Sequence, residues 1–168
     1  MATTQLKGNL VNLSGDEVNV GDKAPEVTLI GTDLSEIKVG GESDRTQLLV
    51  IVPSLDTDVC ATETRHFNKQ ISMFGTVDII VASMDLPFAS KRFCSTEGID
   101  DLTVASDYVD KELGKAYGVL IADGALKGLL ARAIFVINEE GVVTYKEIVP
   151  EITSEPNYDK VIDAVKDA

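Results

Sequence analysis

A cysteine in the first turn of a helix is the residue best placed to do chemistry in this chain. Cys60 follows Pro53 and Thr57 in the stretch PSLDTDVCATETRHFN, which leaves an apolar strand and enters a helix. The thiolate is the reactive form of cysteine, and the unpaired N–H groups and positive dipole end of a helix N-terminus stabilise that anion. Pro53 cannot donate to a strand ladder, so it ends the strand and shapes the loop. Thr57 has two plausible duties, because a hydroxyl just before a helix can cap it and can also donate to a bound oxygen. The chain carries 28 acidic against 15 basic residues, a net charge of −13, and that overall field opposes an anion at Cys60. Activation must therefore be local.

The elements that would position these residues read from periodicity and punctuation. Leu48 to Val52 is a central strand, and Asp56, Thr57 or Asp58 can cap the helix that follows over roughly 59–74, with Gly75 as its stop. Val77 to Ser83 is a second strand, and Pro87 stands at the first position of a helix running through Cys94 toward Gly98. A short strand near Leu102 to Val104 and a helical turn from Asp110 to Tyr117 come next. Ala133 to Ile137 then pairs with Val142 to Ile148 across a Glu-Glu-Gly turn. Pro156 opens the last helix, whose Tyr158, Val161, Ile162 and Val165 form one core-facing stripe. At the other end, Gly8 to Val20 reads as a β-hairpin turning at Ser14-Gly15-Asp16. Val27 to Ile30 is a short strand, and Gly40 to Asp44 is a polar loop. Alternating strands and helices closed by a hairpin predict an α/β fold: a central mixed sheet flanked by helices on both faces, with an N-terminal β-hairpin. Residues 1–168 are expected to form one domain.

Composition narrows the function. A pI near 4.4 without a Lys/Arg cluster repels nucleic acid and anionic membranes, so neither is an expected partner. No apolar run approaches a membrane span and the N-terminus lacks a secretory pattern, which places the chain in the cytoplasm. Two cysteines are too few for a secreted disulfide scaffold and in a reducing compartment are more often reactive or simply buried. No Cys/His cluster, Gly-rich phosphate loop or Gly-x-Ser-x-Gly elbow is present, so neither a metal nor a cofactor is indicated. His66, the only histidine, lies six residues past Cys60 and off its helical face, and reads as structural rather than as a base.

The pattern Pro53-x-x-x-Thr57-x-x-Cys60 resembles the active-site signature of the peroxiredoxins, thiol enzymes on a thioredoxin-like fold. Three longer stretches, PSLDTDVCATETRHFN, SMDLPFASKRFCSTEGI and LLARAIFVINEEGVVTYKEIVPEI, resemble the thiol peroxidase subfamily in order and spacing. The resemblance implies that Cys60 is the peroxidatic cysteine, Cys94 the resolving one and Arg132 the active-site arginine. It also implies hydrogen peroxide and organic hydroperoxides as substrates, an intramolecular Cys60–Cys94 disulfide, thioredoxin as reductant and a homodimer. Asp58 departs from the subfamily, which commonly has proline there. Pointing inward it would oppose thiolate formation; at the helix start it would serve the dipole.

Each implied residue has a competing bland reading. Arg132 opens an apolar strand, where a permanent charge is costly unless it faces an anion or water; an exposed strand edge would satisfy it as well. Cys94 is either a buried structural thiol or the partner that condenses with a sulfenic acid. Arg65, five positions past Cys60, falls on another part of the helix and is secondary. Magnitudes say where catalysis must come from. Lowering a thiol pKa from about 8.5 to about 6 raises the ionised fraction at pH 7 roughly 30-fold, or about 2 kcal/mol, against ~8 kcal/mol or more for typical enzymes. Most of the acceleration must therefore come from donors aimed at the two peroxide oxygens, a role that Arg132, Thr57 and backbone N–H groups fit. The expected picture is a guanidinium holding a thiolate at the mouth of a shallow cavity. A redox-sensing interaction protein using the same two thiols is the non-enzymatic alternative.

Overall fold

The computed structural model describes residues 2–71 and 76–168. Its central feature is a seven-stranded mixed sheet. Numbered in chain order, the strands are β1 (Thr3–Leu6), β2 (Asn9–Ser14), β3 (Val27–Gly31), β4 (Glu36–Val39), β5 (Thr46–Ile51), β6 (Val77–Ser83), β7 (Thr103–Ser106), β8 (Leu120–Ile121), β9 (Ala133–Ile137) and β10 (Val143–Ile148). The helices are α1 (Asp58–Ile71), α2 (Pro87–Glu97), α3 (Glu112–Tyr117) and α4 (Tyr158–Asp167). The large sheet runs β10-β9-β5-β6-β7-β3-β4, with β5, β6 and β7 parallel and the flanking pairs antiparallel. β1, β2 and β8 form a separate three-stranded sheet.

Strands buried on both faces lose the apolar-polar alternation of a half-exposed strand. All residues of β5 and β9 are buried, and their sequences TQLLVI and AIFVI reflect it. Alternate residues feed two apolar layers. Leu48 and Val50 join Cys60, Phe67, Val161 and Val165 on one face, while Leu49 and Ile51 join Leu113, Tyr117 and the small sheet on the other. Phe93 and Cys94 of α2 pack against the first of these layers. Both cysteines therefore belong to the same face of the sheet.

Three local expectations change. The N-terminal hairpin joins β1 to β2 through Lys7-Gly8, not through Ser14-Gly15-Asp16. Both Lys7 and Gly8 have positive φ (51° and 82°), the two-residue turn whose twist suits a hairpin. Gly15 instead permits a close approach of two segments, since a Cβ there would collide with the Lys115 carbonyl oxygen, which accepts from the Asp16 N–H at 2.8 Å. The last helix is capped by Asn157, whose side chain accepts from the Lys160 N–H, so Pro156 stands outside it. β4 and β8 are additional strands, defined by their pairing with Val27–Ile30 and with Leu13–Ser14. The anticipated end of α1 near 74 and its stop at Gly75 lie outside the described residues.

Candidate active site

The chain leaves β5 and stays sheet-like for one more residue, with the Val52 N–H donating to the Ala82 carbonyl at 3.0 Å. Pro53 is buried and has no N–H to extend the ladder, so the backbone turns away. Thr57 then caps α1. Its Oγ1 accepts from the Cys60 N–H at 3.2 Å and its hydroxyl donates to the Ser54 carbonyl at 3.3 Å. Cys60 is thus the third residue of α1, inside the turn whose N–H groups lack helical partners. Asp58 is exposed in that first turn and complements the helix dipole.

Arg132 arrives by strand register. β9 runs antiparallel to β5 with Ala133 opposite Ile51, so the residue before Ala133 lies where β5 exits toward α1. The Nη1 of Arg132 is 3.0 Å from the Cys60 sulfur and 2.8 Å from Glu63 Oε2, so a single nitrogen donates to both. Its Nε donates to the Ile152 carbonyl at 2.8 Å, which fixes the plane of the guanidinium. The alternative of an exposed strand edge does not hold, for Arg132 is 2% exposed and Cys60 and Glu63 are 0%. Burial opposes the Arg132 charge, but the Cys60 and Glu63 charges outweigh it and hold the guanidinium above its ordinary pKa.

Glu63 is a site residue that sequence reasoning misses. Burial pushes its carboxyl up to about 7, against the opposing pull of Arg132. One of its oxygens, Oε1, has no hydrogen-bond partner. A thiolate and a carboxylate sharing one guanidinium would leave a buried net negative charge, so a proton on either acid relieves the cluster. A signal exists in the sequence: Cys60, Glu63, Thr64 and Phe67 recur at helical spacing and form the inward face of α1. A glutamate within that apolar stripe needs a buried cation.

The remaining sequence candidates separate cleanly. Cys94 is half-buried on α2 and not bonded to Cys60, both thiols being free, and burial pushes its pKa up. Arg65 binds Glu97 at 2.8 Å near the surface and ties α1 to α2, away from the sulfur. His66 stacks on Tyr158 with ring centroids 3.8 Å apart, a packing contact between α1 and α4. The cavity expectation needs correction. Two grooves of ≈ 400 Å³ lie along α1 and α2, sharing Leu55, Asp56, Phe93 and Glu97, and Cys60 lines neither. The sulfur sits below the surface because Val52, Leu55 and Phe67 pack into the same apolar cluster.

A mixed sheet with a thiol at the start of the helix after a central strand, held by a buried guanidinium, defines a thiol-redox protein of thioredoxin-like fold. The redoxin family profile matches residues 19–162. Over 165 residues the chain is 54% identical to a thiol peroxidase of Aquifex aeolicus, covering 98% of this chain and 97% of that protein. A Campylobacter jejuni thiol peroxidase is 56% identical over 161 residues, 96% of this chain and 91% of its own. The crystal structure of a peroxiredoxin-like protein from Aquifex aeolicus superposes with a TM-score of 0.96 at 53% identity, covering 99% and 97% of the two chains. The chain belongs to the redoxin family.

Proposed function

We propose that this protein is a thiol peroxidase that reduces hydrogen peroxide and organic hydroperoxides through Cys60. The observation that carries this reading is the 3.0 Å contact between Arg132 Nη1 and the Cys60 sulfur at the buried start of α1. The Cys60 thiolate attacks the terminal peroxide oxygen, forming the S–O bond of a sulfenic acid as the O–O bond breaks. The departing alkoxide or hydroxide takes a proton and leaves as alcohol or water. Arg132 keeps its charge at every accessible pH, so it is suited to hold the thiolate first and the developing oxyanion afterwards. Thr57 fixes the start of α1 through its cap, and Pro53 keeps the loop beside the sulfur dry.

Cys94 then condenses with the sulfenic acid, releasing water and forming a Cys60–Cys94 disulfide. The thiols lie on two separate helices, so local unwinding around both accompanies the bond. A dithiol reductant of the thioredoxin kind regenerates the pair by exchange. Names of relatives at 54% and 56% identity support the peroxidase activity. No described helix is long and apolar enough to cross a membrane. We place the enzyme in the cytoplasm as a homodimer, on its family resemblance.

The test uses peroxide consumption coupled to thioredoxin, thioredoxin reductase and NADPH. Cys60→Ser should abolish turnover. Cys94→Ser should consume one equivalent of peroxide and then stall unless an outside thiol is supplied. Retained turnover in Cys60→Ser would remove the assignment, and a covalent dimer lacking the intrachain bond would remove the resolution step.

A further inference from the structure

The segment SMDLPFASKRFCSTEGI gives the reaction only Cys94, yet another of its residues reaches the Cys60 loop. Asp85 follows β6 and precedes α2. Its Oδ1 accepts from the Ser54 hydroxyl at 2.8 Å, and its Oδ2 accepts from the Leu55 N–H at 2.7 Å and from the Ser83 hydroxyl at 2.8 Å. Its own N–H donates to Ser83 Oγ at 3.1 Å. Three donors from two segments thus converge on one carboxylate.

The bonds continue to the sulfur-bearing residue. Ser54 Oγ, which donates to Asp85, also accepts from the Asp56 N–H at 3.2 Å. The Ser54 carbonyl accepts from the Thr57 hydroxyl at 3.3 Å, and Thr57 Oγ1 accepts from the Cys60 N–H at 3.2 Å. Asp85 is therefore the far anchor of a set of hydrogen bonds that passes through the Ser54 residue itself and then Thr57 to end on the backbone N–H of Cys60. The same carboxylate stands two residues before the helix carrying Cys94. It joins the approaches to both thiols.

We infer that Asp85 is a positioning residue that clamps the loop before α1 in its peroxide-reactive conformation and must release it before Cys60 can bond to Cys94. The inference rests on the peroxidase reading above. Hydrogen bonds to an ionised acceptor are the stronger kind, and bonds present in only one of two conformers shift the balance toward that conformer. Removing the clamp therefore acts in opposite directions on the two chemical steps. A contact that only supported the fold would lower stability without dividing them.

Stopped-flow measurement on the full chain reads sulfenic acid formation and disulfide formation separately. Asp85→Ala should slow the first by about tenfold, the equivalent of one charged hydrogen bond, and should speed the second. Asp85→Asn keeps one acceptor but turns an N–H toward a donor, so it should fall between Asp85→Ala and the parent chain. Hydrogen exchange of the reduced protein should quicken at the Leu55 and Cys60 amides. If Asp85→Ala does not fold, Asp85→Asn and Ser54→Ala carry the same measurements, Ser54→Ala having the smaller effect. Equal changes in both steps, or a change in melting temperature alone, would overturn the clamp. Amide exchange does not depend on peroxide chemistry, so it tests Asp85 even if Cys60→Ser were to retain turnover and the peroxidase reading itself failed.

Discussion

α1 and α2 leave neighbouring parallel strands, β5 and β6, and each carries one cysteine, yet at opposite ends. Cys60 lies in the first turn of α1, with a threonine cap and the Arg132 guanidinium against its sulfur. Cys94 lies in the last turn of α2, where its own carbonyl accepts from the Gly98 N–H and, at 3.0 Å, from the Ile99 N–H. The N-terminal end of a helix favours an anion and the C-terminal end disfavours one. Burial raises the Cys94 pKa further. Under the proposed reaction, position along the helix would divide the labour: the thiol at the helix start would serve as the nucleophile and the one at the helix end as its later partner.

The sharpest way to break this contrast is to remove the cation from the α1 side. Arg132→Met should lower the rate constant of peroxide reaction by roughly 100-fold or more, the scale of a lost oxyanion donor, while the intrinsic reactivity of Cys94 toward alkylating agents stays unchanged. The variant also strands Glu63, so its melting temperature should fall at neutral pH and recover partly in mild acid, where Glu63 takes up a proton.

Glu63 itself supplies the second test. Its folded pKa of about 7 is raised above the ordinary 4.5, so the native state holds a proton that the unfolded chain releases. Its favourable contribution is full below about pH 4.5 and is lost as pH rises through about 7, a swing of about 3 kcal/mol. Denaturant unfolding of Glu63→Gln against the parent chain should show that difference disappear across this window.

Smaller effects belong to α2. Gly98 caps this helix at φ 66° with open space around its Cα, so Gly98→Ala meets only backbone strain. It should cost about 1 kcal/mol by thermal unfolding, loosen the turn carrying Cys94 and leave sulfenic acid formation unchanged. Smallest of all, Arg65→Ala breaks the surface pair with Glu97 that joins the two helices. Its effect on stability should stay below about 1 kcal/mol and shrink with added salt.

Local chemistry makes much of the site legible. A β-branched run, a proline, a hydroxyl and a cysteine written in order are enough to place Cys60 in the first turn of a helix, since each acts on the few residues around it. Arg132 is readable only through resemblance; the residues near it allow an exposed edge equally well. Glu63 escapes notice because a glutamate in a helix is ordinarily solvated, and only the approach of a strand 69 positions away makes this one buried. The N-terminal hairpin is misplaced for a similar reason. Gly15 looks like a turn residue until Lys115 is brought against it.

The amino-acid order by itself set where β5 ends, where α1 and α2 begin and which thiol stands at a helix start, because dihedral preference, capping and apolar periodicity are settled there within a few residues. Tertiary structure alone decided which charges meet. The Ile51–Ala133 register delivers Arg132 to Cys60, and the turn after β6 delivers Asp85 to Ser54 and Leu55. Coulombic and hydrogen-bond energies depend on distance and burial, and neither quantity exists until remote segments have paired.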